Sequence, residues 1–165
     1  MSKKDFEFTG IREVMDRLNK ELEGIKGGSL VGMIHAAIHV RRSMAHRPPL
    51  IPVDTGNLNA SFSIVSTKGS GTTESGGSPT FKGKDASKMQ SEHASTISTM
   101  KAAVHSVSHG PAVLMGFSAN YAGFVHENME AKFLRPGSGP KFFEAHLRSE
   151  SGEILNIIRD HAKIK

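Results

Sequence analysis

Apolar residues recur at Ile11, Met15, Leu18, Leu22 and Ile25 along an otherwise charged stretch. Their spacing of four, three, four and three is that of a helix with one narrow apolar stripe. Phe6 and Phe8 alternate with charged residues just before it, Thr9 is placed to cap it, and Gly27-Gly28 is expected to end it. Ser29 then caps a second predicted helix with two apolar lines, one of Leu30, Ile34 and Ile38, the other of Met33, Ala37, Val40 and Met44. Its buried face is therefore wide. His35, His39, Arg42 and His46 fall on the remaining face, and Pro48-Pro49 stops the helix.

The pattern then changes period. Pro52-Val53-Asp54-Thr55-Gly56 reads as a turn: Pro52 fixes its own φ, the Asp54 side chain is placed to accept a bond from the amide two residues on, and Gly56 is free to take positive φ. From Leu58 the polarity alternates. Leu58, Ala60, Phe62 and Ile64 point one way and Asn57, Asn59, Ser61 and Ser63 the other, which predicts a half-buried strand.

Residues 67–99 have a different texture, with seven Ser, six Thr, five Gly and one Pro among 33 residues, and Phe81, Met89 and Ile97 as the large apolar ones. Such a segment buries too little surface to offset its ordering entropy, so it is expected to be a flexible hairpin insertion, or a loop that orders against a partner. Val104 and Val107 suggest a short strand before the turn His109-Gly110-Pro111. Ala112 to Phe117 is apolar on both faces, as in an inner strand. Tyr121, Phe124 and Val125 share one face of a short helix, Pro136 to Pro140 is a loop, and a last helix begins near Lys141 with Phe143, Leu147, Ile154, Ile158 and Ala162 on one side and Gly152 as a bend.

Composition narrows the function. The 165 residues, 37% hydrophobic, suit one core and a single domain over 1–165. The longest apolar runs are a few residues, and Met1 to Asp5 lacks an apolar signal region, so a soluble chain without an export signal is expected. Absence of cysteine excludes disulfides and thiolate chemistry and is compatible with a reducing cytoplasm. The net charge of +5 is spread thinly: nine basic against seven acidic residues over 1–66, five against three over 67–110, seven against six over 111–165. With no Trp and a single Tyr, direct nucleic-acid recognition is disfavoured, and a small basic nucleic-acid-associated protein is the alternative rather than the main reading.

Candidate chemistry is sparse. His35 and His39 stand at a metal-ligating spacing, but no Glu follows His35 and a solvated helix face accounts for both. His126-Glu127 with Ser61 or Thr55 offers the residue types of a hydrolase, without a nucleophile elbow around either hydroxyl. No Gly-rich phosphate cradle occurs. The chain is therefore expected not to be an enzyme and to need no cofactor or metal. Phe81, Met89 and Met129 lie in polar stretches where burial within one chain is least assured, which makes them candidate subunit contacts.

The order of these pieces resembles a family of long-tailed bacteriophage proteins, the tail-completion and head-tail joining (neck) components. The resemblance rests on Pro52-Val53-Asp54-Thr55-Gly56-Asn57-Leu58 with Ser61, on Tyr121-Ala122 with Val125 and Glu127, and on Phe142-Phe143 opening the last helix; it covers residues 8 to 160. It departs from the family after Glu127, where Asn128-Met129-Glu130 replaces an aromatic, Gly and Thr. The resemblance implies an α+β fold: an antiparallel sheet of about four strands packed by two N-terminal helices and a C-terminal helix, with Pro52, Asp54, Thr55, Gly56, Leu58, Tyr121 and Ala122 as fold determinants. It also implies a structural virion protein that assembles in the host cytoplasm as a ring of six or twelve copies. Its partners would be a tail terminator or tail tube protein on one side and a head-completion, connector or portal protein on the other, with DNA at most a channel occupant and no membrane.

Overall fold

The computed structural model describes residues 11–68, 71–75 and 79–162. The expected contributions of Phe6, Phe8 and Thr9 lie outside them. The first element is a single helix, α1 (Ile11–His46), 36 residues long, where two were expected. Gly27-Gly28 does not end it because a neighbouring helix needs that place: a Cβ on Gly28 would lie 2.2 Å from the His161 carbonyl oxygen, and one on Gly32 2.8 Å from the Ile158 Cα. The glycines allow two backbones to touch, and that packing outweighs their weak helix propensity.

After the turn, residues 57–60 form a helical turn, α2 (Asn57–Ala60), and the strand starts four residues later than Leu58. The strands are β1 (Phe62–Lys68), β2 (Gly71–Ser75) and β3 (Val113–Phe117), all antiparallel in the order β2-β1-β3. Phe62 pairs with Phe117 and Val65 with Leu114. The sheet among the described residues thus has three strands, not four, and the inner strand is β1; β3 lies at an edge. The position expected for a further strand near Val104 belongs instead to α3 (Ala86–His105), which also takes up much of the stretch expected to be a flexible insertion.

The helix α3 changes what β1 must be. One face of the sheet packs Phe62, Met115 and Phe117 against Val40 and Met44 of α1, with Ile51, Leu58, Ala119, Ala122 and Phe142 completing that core. The other face sets Val65 against Ile97 and Val104 of α3. Ser61 and Ser63, which alternation would place in solvent, are buried between the layers, and Ser66, on the opposite face of the strand, is buried too. Ser61 donates to the Leu58 carbonyl at 2.8 Å, as a buried hydroxyl must find an acceptor.

A short helix, α4 (Ala122–Glu127), follows β3 as expected. The last helix is two segments, α5 (Phe142–Ser149) and α6 (Ser151–Ala162), parting at Glu150 rather than at Gly152. α6 runs back along the C-terminal half of α1. No helix among the described residues is long and apolar enough to cross a membrane.

Candidate functional site

Gly56 adopts φ 87°, the left-handed conformation expected of the turn. The side-chain bond that the sequence assigns to Asp54 is made by Thr55, whose Oγ1 accepts from the Asn57 amide at 3.4 Å. Asn57 then ties the turn to a distant segment: its Nδ2 donates to the Lys82 carbonyl at 2.9 Å and its Oδ1 accepts from the Lys82 amide at 2.8 Å. This two-way bond gives the turn a fixed neighbour, and it was not legible in the sequence because Lys82 lies in the stretch read as flexible.

The outcome is an open cleft of about 580 Å³. The turn Pro52 to Leu58 makes one wall, Lys82 to Asp85 with Met89 another, and Tyr121, Val125 and Lys132 to Leu134 the rest. Two of the three motifs that carry the family resemblance thus meet in one place, with Leu58 and Ala122 buried beneath in the common core. The floor is apolar, and Lys82, Lys84 and Lys132 stand around it with Asp54 and Asp85. Burial, and next the Asp54 charge, push the Tyr121 phenol above its usual range, so it stays protonated and able to donate. A mixed-charge rim over an apolar floor suits a protein segment better than a reacting small molecule.

Of the expected contact residues, Met129 is 68% exposed; Phe124 and Leu134, five residues before and after it in sequence, are 72% and 88% exposed. Phe81 is instead buried, edge-on to His93, and Met89 packs on the main core, so both are already used within the chain.

The imagined hydrolase residues do not converge. His126 Nδ1 donates to Glu127 at 2.7 Å, and its Nε2 accepts the Glu144 amide at 3.3 Å, so both ring nitrogens are engaged. Lys141 closes on Glu127 and holds its carboxyl below the usual range. Ser61 is fully buried. His35 packs edge-on to His161, and no cluster of metal-ligating side chains occurs among the described residues.

A second polar cluster went unforeseen. Glu150, at the α5–α6 junction, accepts from Ser43 Oγ at 2.9 Å, from His39 Nε2 at 2.9 Å and from Arg47 at 2.7 Å. Ser43 also lies 3.0 Å from His146 Nδ1, and His146 Nε2 is 3.1 Å from the Pro49 carbonyl. That carbonyl can only accept, so Nε2 carries a proton. The His39 bond first, and then that from Ser43, lower the Glu150 carboxyl to about 2. Serine, histidine and glutamate are the residue types of a hydrolytic triad, yet Ser43 and His146 are buried, with no open face for a substrate. The cluster locks α1 to α5 and α6. No family model matches the chain, and no curated protein and no solved structure matches it.

Proposed function

We propose that the chain is a structural component of a long-tailed bacteriophage virion, a tail-completion or neck protein at the head-tail junction that works by assembling into a ring. The observation that carries this reading is the cleft. Two motifs about sixty residues apart, in the order the family resemblance requires, form one open, apolar-floored surface whose lining includes the exposed side chains of Val53 and Leu134. Exposed apolar side chains lining an open cleft mark a surface that a protein partner covers. Such neighbours would be a tail terminator or tail tube protein, or a connector or portal protein, besides other copies of the chain. The clusters with catalytic residue types are occupied in holding the fold, which favours binding over turnover.

The test is electron microscopy of a lysate from a phage carrying an early stop codon in this gene. Filled heads beside separate tails, or tails of abnormal length, are the expected outcome. Normal infectious particles would overturn the proposal.

A further inference from the structure

The N-terminal half of α1 leaves the body. α6 meets α1 at Gly28 and Gly32, and before that point Met15, Leu18 and Leu22 are 49%, 49% and 43% exposed, with Ile25 half-buried. These residues alternate in steps of three and four, which is the seam of a coiled coil, with Met15 and Leu22 at a positions and Leu18 and Ile25 at d positions. A stripe so narrow fits another helix of the same kind.

The flanking charges say which helix and in which direction. The e positions are Arg12, Asn19 and Lys26, and the g positions are Val14, Glu21 and Gly28. In a parallel pairing, each g residue faces the e residue five places on in its neighbour, so Glu21 meets Lys26. In the antiparallel register that buries all four seam residues, Glu21 faces Glu21 and Arg12 faces Lys26, like charge against like. Gly24 and Gly27 fall at c and f, on the outside, and do not interrupt the seam. Lys26 now bonds Glu23 one turn back, 2.9 Å away and in solvent, a contact that is cheaply exchanged.

We infer that residues 12–28 of α1 pair in parallel with the same segment of further copies of this chain, forming a bundle about a common axis. Leu22 at a with Ile25 at d favours more than two strands. A parallel bundle places all the bodies at one end, as a cyclic ring requires. This rests on the reading of the chain as one that assembles, and names the partner of that one surface.

The test uses the full chain. Sedimentation equilibrium should show an oligomer whose dissociation constant rises tenfold or more in Glu21→Lys and in Lys26→Glu, and recovers in the double variant. These positions are exposed, and unchanged circular dichroism checks the fold. Because the chain has no cysteine, Leu22→Cys provides a unique thiol, and it should cross-link to itself on oxidation. A monomer at all concentrations, an oligomer indifferent to the swaps, or cross-linking of Leu22→Cys only to Leu18→Cys would overturn parallel pairing. A monomeric chain whose stop mutant still leaves heads and tails apart sinks the pairing and spares the neck reading. The swap pattern in a chain whose stop mutant gives normal particles does the reverse.

Discussion

Glu150 shows how much one carboxylate organises here. It receives bonds from three α1 residues, and with His146 it fastens α1 to the last two helices. Its folded-state carboxyl is lowered to about 2 from an ordinary 4.5, so its stabilisation is complete above pH 4.5 and fades as pH falls from there towards 2. Glu150→Gln should cost about 2 to 3 kcal/mol in urea unfolding at pH 7, less than for a fully dry pair because Arg47 is largely in solvent. The same variant should lose less stability than the parent between pH 4.5 and 2. Gly56 is a different kind of determinant. No atom lies within 4 Å of where its Cβ would be, so only the backbone objects to a side chain. Gly56→Val is expected to cost about 1 to 3 kcal/mol and Gly56→Asn much less, as measured by thermal melting. Gly56 was legible because a turn glycine announces its φ locally. Glu150 was not, since its three partners lie more than a hundred residues away and nothing in a window of sequence points to them.

Elements were misread where packing overruled a local rule. Gly27-Gly28 resembles a helix stop, but Gly28 serves the crossing with α6 while a Cβ on Gly27 would meet nothing. The two adjacent glycines should therefore respond oppositely: Gly28→Ala loses about 1 to 3 kcal/mol through overpacking, and Gly27→Ala gains about 0.5 to 1 kcal/mol of helix propensity. Chemical denaturation of the pair decides this. α3 was hidden by its composition. Its inward line of buried His93, Ile97 and Val104 with half-buried Met89 and Met100 has helical spacing, yet only if His93 is counted as an interior residue, and that ring is inside because Ser118 Oγ bonds it at 2.7 Å. Ile97→Ala should cost about 3 kcal/mol, whereas a flexible loop residue would cost nothing measurable.

At the scale of the molecule, one sheet lies between helix layers, and the cleft opens where the turn, the start of α3 and α4 come together. The turn and the Tyr121-Ala122 element were legible as pieces; their meeting was not, because it depends on the Asn57 bond to Lys82 and on the course of the chain through residues the composition disguises. The anchored body and the free half of α1 are separable in the geometry. A chain beginning at Gly27 keeps the contacts of Gly28 and Gly32 with α6, and should melt within a few degrees of the full chain while losing self-association in sedimentation.

That separability has a mechanical side. The free half of α1 is a stiff rod about 25 Å long, gripped at its base by two glycines seated directly on the backbone of α6. Any tilt of α6 on that seat is transmitted without side chains to absorb it, and the displacement grows with distance along the rod. A change at the Glu150 clamp, which sets the position of α6, would thus be felt most at the far tip.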